Sequence, residues 1–98
     1  MLEADIVRRI VAALNKLPYV FCFRTHGGSF QMKGTPDIIG LAYGHFFAIE
    51  AKRTAKDKPS AAQEYVLSKI RKAGGTTFVS HDPHAKEVIS WIKSLQES

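Results

Sequence analysis

Residues 34–52, GTPDIIGLAYGHFFAIEAK, hold two short apolar runs, residues 38–42 and 46–51. Side chains alternate between the two faces of a strand, and the second run is apolar on both faces. Such a run predicts a central strand that is buried on both sides. Glu50 lies inside it, and a buried glutamate is costly unless it is paired or binds a cation. The fold therefore has to provide a partner for Glu50.

The link between the two runs indicates which side chain lies opposite Glu50. If residues 43–44 form an even-numbered hairpin loop, counting back along the two strands places Asp37 opposite Glu50. Directly opposed residues have Cβ atoms about 4.5–5.5 Å apart. Two carboxylates at this separation repel each other unless a divalent metal lies between them. Lys52 shares the face of Glu50, where its charge can stabilise developing negative charge.

The motif Pro36-Asp37, followed after twelve residues by Glu50-Ala51-Lys52, is the signature of the PD-(D/E)XK nucleases. This signature alone is degenerate, and the flanking sequence makes it more specific. Three further elements surround it: Gly34-Thr35, Ser60-Ala61-Ala62-Gln63, and Gly74-Gly75 before a β-type run. Together these features resemble the virus-type replication-repair nuclease (VRR-NUC) family in its minimal stand-alone form, over about residues 3–80.

The resemblance implies an α/β fold with a restriction-endonuclease-like αβββαβα core, a mixed β-sheet flanked by helices. It implies a DNA repair endonuclease dependent on Mg²⁺ or Mn²⁺, with Asp37, Glu50 and the backbone carbonyl of Ala51 as metal ligands. Stand-alone members, of phage or bacterial type, resemble Holliday-junction resolvases. Members fused to larger domains act on flaps and interstrand crosslinks. We therefore expect a four-way DNA junction as the substrate and, because two strands must be cut symmetrically, a homodimer.

Two further residues have both a structural and a functional interpretation. Glu3 lies at the start of a predicted helix, where the helix dipole favours an acid, and also at the end of the buried stripe. Gln63 stands three residues after Ser60, the spacing of a capping box. The family carries a glutamate on its first helix and a glutamine near its active site. The resemblance therefore implies that Glu3 and Gln63 hold waters at the metal site.

Hydrophobic periodicity and turn residues predict the remaining elements. The expected elements are helix 3–16, strand 19–24, loop 25–33, helix 60–73, strand 76–80, and a helix that starts at Asp82-Pro83 and ends near residue 96. Asp82 is interpreted as the N-cap of this last helix, with Pro83 in the first turn. Trp91 has two interpretations, as part of the core or as a subunit contact.

Basic side chains flank the predicted site. The candidate DNA-binding residues are Arg24, Lys33, Arg53, Lys56 and Lys58. Loops with this composition are often simply solvated, but next to a metal site they would reach the phosphates on either side of a cut. The loop 25–33 has the same two interpretations, as a solvated connection or as a flap that contacts DNA or a second subunit. His26 lies within it and is not assigned as a ligand.

Composition limits the number of domains and the class of protein. A chain of 98 residues predicts a single domain over residues 1–98, and 45% hydrophobic with 23% charged residues is typical of a globular protein. The net charge of +5 suits a nucleic-acid partner. Cys22 is the only cysteine, which excludes an intrachain disulfide. No signal segment or membrane-length apolar run appears, so we expect a soluble, intracellular (cytoplasmic) protein without a membrane partner.

Rival hypotheses differ in what they require of the motif. A nuclease-fold module that binds DNA without cutting it is disfavoured, because Asp37, Glu50 and Lys52 are all present. A surface ion pair between Glu50 and Lys52 on an edge strand is disfavoured by the apolar residues around them. Within the nuclease hypothesis, flap or linear DNA remains an alternative to the junction.

Overall fold

The computed structural model describes residues 1–25 and 32–96. Within these ranges the elements are α1 (Glu3–Leu14), β1 (Val20–Arg24), β2 (Ile38–Ala42), β3 (His45–Ala51), α2 (Ala61–Lys72), β4 (Thr76–Ser80) and α3 (Lys86–Gln96). The sheet order is β1-β2-β3-β4. The first three strands are antiparallel and β4 runs parallel to β3. The predicted α/β fold, with its αβββαβα order and mixed sheet, is confirmed.

The turn between β2 and β3 has the predicted two-residue form. Tyr43 and Gly44 have φ angles of 50° and 79°, and positive values at both positions characterise the type I′ turn that matches strand twist. Ala42 consequently pairs with His45. This local geometry determines the register of the whole hairpin.

The two faces of the sheet are covered by different helices. The main core joins α1 and α3 to the face of β3 that carries Phe47, Ile49 and Ala51. The opposite face carries Ala48 and Glu50, and α2 lies on that side, contacting β4. All residues from Phe47 to Ala51 are buried. The prediction of a central strand buried on both faces is thus confirmed.

The first helix ends two residues earlier than predicted. Asn15 follows it as the C-cap, and its side chain forms two hydrogen bonds of 2.9 Å with the backbone of Cys22. These bonds attach the end of α1 to the middle of β1. The strand itself begins at Val20, since Tyr19 adopts a positive φ of 61° that does not fit a strand.

The predicted start of the last helix was wrong. The helix α3 begins at Lys86, not beside Asp82-Pro83. The Asp82 carboxylate accepts hydrogen bonds from the backbone N–H groups of Lys86 (3.0 Å) and His84 (2.9 Å), which holds the pKa of Asp82 below its ordinary value. Asp82 therefore stabilises a turn that precedes the helix.

Trp91 is partly buried and packs against the hydrophobic core, as the first of its two interpretations predicts. Its ring lies edge-on to Phe47 at 5.7 Å and to Phe78 at 5.5 Å between centroids. Most of the predicted loop 25–33, with Gly27-Gly28 and His26, lies outside the described residues. Within the described ranges, no helix is long and apolar enough to cross a bilayer.

Candidate active site

Asp37 and Glu50 occupy opposed positions at one end of the β2–β3 hairpin. The last pair of the ladder is Ile38 with Ile49, so the next position outward pairs Asp37 with Glu50. Glu50 is 1% exposed, and Asp37 is half-buried. The opposition predicted from the loop length is therefore present.

The Glu50 carboxylate is buried, and no hydrogen bond from the described residues offsets the cost of its desolvation. Within residues 1–25 and 32–96, neither of its oxygens has a hydrogen-bond partner. Burial first, and the adjacent Asp37 carboxyl next, raise the pKa of Glu50 from 4.5 to about 9, although Lys52 acts in the opposite direction. In the metal-free protein at neutral pH, Glu50 is therefore protonated. A cation at this position would provide the compensation that the protein groups do not.

Asp37 is anchored to the end of β3. Its Oδ2 atom accepts a hydrogen bond of 2.8 Å from the backbone N–H of Ala51. On the other side, the backbone N–H of Thr25 donates to the Asp37 carbonyl at 2.9 Å, and the Thr25 hydroxyl donates to the carbonyl of Pro36. These bonds fix the backbone around Asp37 and orient its side chain. Ala51 is buried, and its predicted role as a carbonyl ligand remains a prediction from the resemblance.

Lys52 and Gln63 are joined directly. The Lys52 Nζ atom donates to Gln63 Oε1 at 3.1 Å. The same oxygen accepts the backbone N–H of Ser60 at 2.8 Å, and Ser60 Oγ accepts the Gln63 N–H at 3.2 Å, which confirms the capping box. The backbone N–H of Lys52 also donates to Ser80 at 2.9 Å, extending the β3–β4 ladder. Gln63 thus caps α2 and holds the side chain of Lys52 at the same time.

Glu3 lies within electrostatic reach of the site. It is half-buried at the start of α1, and its charge contributes to the raised pKa of Glu50. The neighbouring acid of the first turn, Asp5, forms an ion pair with Arg8 at 2.7 Å. The position of Glu3 fits both the dipole interpretation and a role near the Asp37–Glu50 pair.

The basic candidates Arg24, Lys33, Arg53, Lys56 and Lys58 are all exposed. In the loop after Lys52, the Asp57 carboxylate accepts hydrogen bonds from both the backbone N–H and the hydroxyl of Thr54. These bonds close a turn within the loop, and they occupy Asp57, the only acid of residues 53–59. The basic side chains around it remain available to an anionic partner.

The sequence analysis missed the supporting role of Thr25, and it named Gly34 only as part of the family resemblance. Thr25 was placed in the loop, although the register of β1 with β2 would have set it beside Asp37. Gly34 has a φ of +86°, and a Cβ there would lie 2.4 Å from the carbonyl oxygen of Ala62. The segment before Asp37 therefore touches the first turn of α2, and only glycine permits this approach. The Gly34-Thr35-Pro36 sequence was the available signal.

The donor set fits a hard divalent cation. In residues 1–25 and 32–96, no group of three or more His, Cys, Asp and Glu side chains is spaced to hold a metal. Two opposed carboxylates are nevertheless a common complement for Mg²⁺, which is usually bound by one or two carboxylates, waters and substrate phosphates. The uncompensated oxygens of Glu50 are the donors that such an ion would use.

No protein-family model matches this chain, and no significantly similar curated protein was found. Function therefore has to be inferred from the side chains assembled here and from the motif they form.

Proposed function

We propose that this chain is a metal-dependent endonuclease of the VRR-NUC type that hydrolyses phosphodiester bonds in DNA. One observation carries the proposal: Glu50 is buried opposite Asp37, and neither of its oxygens has a hydrogen-bond partner in the described part of the chain. A purely structural role at this central position would be better served by an apolar side chain. Retention of a carboxylate there supports a ligand that arrives from outside the chain.

Asp37 and Glu50 would hold Mg²⁺ or Mn²⁺, with the Ala51 carbonyl as a further oxygen ligand by resemblance. When bound, the cation supplies a Lewis acid for the phosphate and lowers the pKa of a bound water. The hydrogen bond from Ala51 keeps the Asp37 carboxylate in place for this role. As a ligand, Glu50 would be ionised, since the positive charge of the cation would offset the burial and the adjacent Asp37 carboxyl that raise its pKa.

Lys52 would orient the attacking water or stabilise the charge that develops on the phosphate. Its hydrogen-bond partner is the neutral amide of Gln63 and not a carboxylate. The ammonium charge is therefore not consumed by an ion pair and is available to a phosphate oxygen. Gln63 and Glu3 would hold waters around the cation, a role taken from the resemblance.

The exposed cations would position the DNA. Arg53, Lys56 and Lys58 follow directly after Lys52, so they can contact phosphates beside the scissile bond. Arg24 and Lys33 flank the segment that leads to Asp37. Such contacts provide affinity and register without reading sequence.

For the substrate we propose branched DNA, in the first place a four-way junction, and for the assembly a homodimer with two symmetric sites. Static light scattering at micromolar concentration measures the assembly directly. A monomer that nicks only flaps would move the function to a different repair substrate. Of the interfaces considered from the sequence, the Trp91 helix is the least suitable because that ring packs in the core.

Cleavage of a panel of linear, flap and four-way DNA substrates tests the activity. We expect cleavage with Mg²⁺ or Mn²⁺, none in EDTA, and none by the Glu50→Gln variant. The Glu87→Gln variant makes the same chemical change at an exposed position of α3 and should cut normally. Binding of the panel without cleavage under any metal condition would instead identify a non-catalytic DNA-binding module.

A further inference from the structure

An apolar surface remains uncovered on the sheet. Phe21, Phe23, Leu41 and Phe46, here called the aromatic face, are 66%, 47%, 50% and 39% exposed. The rings of Phe21 and Phe23 lie 5.9 Å apart between centroids. Contiguous exposed apolar side chains of this kind mark binding surfaces on proteins.

The aromatic face lies on the same side of the sheet as the candidate metal ligands. Cys22 and Gly40 pair with each other and are buried toward the main core. Side chains alternate along a strand, so the exposed rings point to the opposite side, which is also the side of Glu50.

The register sets the distance between the rings and the carboxylates. Phe23 pairs with Ile39, one row of side chains away from Asp37, and Phe21 pairs with Leu41, one row further. Each row corresponds to two residues, or about 7 Å along the strand. The rows that carry Phe23 and Phe21 therefore lie about 7 and 14 Å from the row of Asp37, measured along the strand direction.

In the described part of the chain, no helix covers the half of the sheet that carries the aromatic face. The helix α2 lies over the other half, where it contacts β4. A shallow groove of about 480 Å³ continues the aromatic face at the hairpin end and is lined by Tyr19, Val20, Phe21, Leu41, Tyr43 and Gly44. Tyr19 has a φ of 61° and a 79% exposed side chain. Its ring also contacts that of Tyr43, at 5.4 Å between centroids.

We propose that the aromatic face binds unpaired nucleobases of the strand whose phosphate lies at Asp37 and Glu50. This inference rests on the proposed nuclease function and specifies its substrate as nucleic acid with unpaired bases beside the cut. Bases stack on exposed aromatic rings of a sheet while basic groups follow the backbone. The exposed cation Lys33, in the segment that leads to Asp37, together with the net charge of +5, complements the phosphates of such a strand.

A second copy of the chain fits this surface less well. A subunit docked flat on the aromatic face would also cover the row of Asp37 and Glu50, which begins one row beyond Phe23. It would further bring together two chains that each carry a net charge of +5. A homodimer formed through another surface is compatible with base binding here.

The test compares binding of a fluorescein-labelled single strand with binding of a duplex of equal length, in EDTA, by fluorescence anisotropy. A double variant, Phe21→Ala with Phe23→Ala, removes both rings. Phe21→Leu with Phe23→Leu keeps the apolar surface without rings, and Phe21→Tyr with Phe23→Tyr keeps the rings. Tyr65→Ala removes a ring of similar exposure, 63%, from α2. A single strand that contains 2-aminopurine reports stacking directly through quenching of its fluorescence.

We expect the alanine and leucine pairs to weaken single-strand binding by at least about tenfold, and to abolish 2-aminopurine quenching. The tyrosine pair, Tyr65→Ala and all duplex affinities should stay near wild type. Single-strand affinity of the alanine pair within twofold of wild type would overturn the inference. So would a change from dimer to monomer with unaltered single-strand affinity, which would assign the face to a second copy.

The same measurements separate this inference from the nuclease proposal. If the wild-type protein binds no nucleic acid, both proposals fail. If it binds and cuts DNA with metal while the ring variants bind single strands normally, only the aromatic-face inference fails.

Discussion

The ammonium group of Lys52 and the first turn of α2 share one acceptor, because Gln63 Oε1 receives hydrogen bonds from both Lys52 Nζ and the Ser60 backbone. The capping box that begins the helix is therefore also the support of the candidate catalytic lysine. Helix stability can be tested apart from lysine orientation, because the Ser60 hydroxyl takes part only in the cap.

The first prediction separates these two roles. Ser60→Ala removes the hydroxyl that accepts the Gln63 N–H but leaves the bond to Lys52 in place. We expect it to lower the free energy of unfolding by about 1 kcal/mol, with little change in single-turnover cleavage. Gln63→Ala should slow cleavage by about 10- to 100-fold, since small misplacements of catalytic groups have effects of this size. Thermal denaturation and single-turnover rates measure both effects. Equal cleavage by the two variants would show that Lys52 needs no support from Gln63.

The second prediction concerns the metal ligands. Asp37→Asn and Glu50→Gln should each abolish metal binding and metal-dependent cleavage while the fold is retained. An asparagine oxygen can still accept the N–H of Ala51, so the end of β3 keeps its anchor. Titration calorimetry with Mn²⁺ measures binding, and Glu87→Gln is the matched control for the loss of a carboxylate. Undiminished cleavage by the Asp37→Asn protein would remove the basis of the site.

The third prediction follows from the raised pKa of Glu50, about 9 in the folded protein against 4.5 ordinarily. Between these values the unfolded chain has released the proton that the folded chain retains. The free energy of unfolding of the metal-free protein should therefore fall as the pH rises through this window. The stability lost through Glu50 should be fully regained only below about pH 4.5.

Thermal denaturation in EDTA between about pH 5 and pH 9 measures this effect. Because Glu50→Gln does not titrate, its Tm should exceed that of the wild type by a margin that grows with pH. Adding Mg²⁺ near pH 8 should raise the Tm of the wild type alone, since ligands stabilise the state they bind. Parallel pH profiles of the two proteins in EDTA would contradict the assignment of this titration to Glu50.

The fourth prediction distinguishes chemistry from binding among the lysines. Lys52→Ala should retain affinity for metal and DNA but cut more slowly by about 10²–10³-fold, the usual loss for one preorganised charge-stabilising donor. Single-turnover kinetics at saturating protein measures this rate. An unchanged rate would reduce Lys52 to a phosphate contact.

The exposed lysines of the following loop provide the contrast. Lys56→Ala and Lys58→Ala should weaken DNA binding and flatten its salt dependence by about one unit of slope for each lost phosphate contact. The rate at saturation should stay the same. Lys93→Ala serves as the control for removal of an exposed charge, because Lys93 lies on α3, which packs on the face of the sheet opposite to Glu50.

Local sequence determined the hairpin and the helix cap. The two-residue turn of Tyr43 and Gly44 sets the register of the hairpin, and counting back along the strands then places Asp37 opposite Glu50. The capping box of Ser60 and Gln63 spans a single turn. Such features depend on backbone preferences and hydrogen bonds between neighbours, so the pattern of residues is sufficient to predict them.

Tertiary packing decided what lies around these elements. Lys52 meets Gln63 only because α2 packs beside the end of β3. Trp91 packs against the core only because α3 brings it to Phe47 and Phe78. The exposure of Phe21 and Phe23 likewise depends on α2 covering the other half of the sheet. Periodicity identifies the apolar face of an element but not its partner. Contacts between segments that are distant in the chain decide which surfaces are buried and which carboxylate is shielded from water.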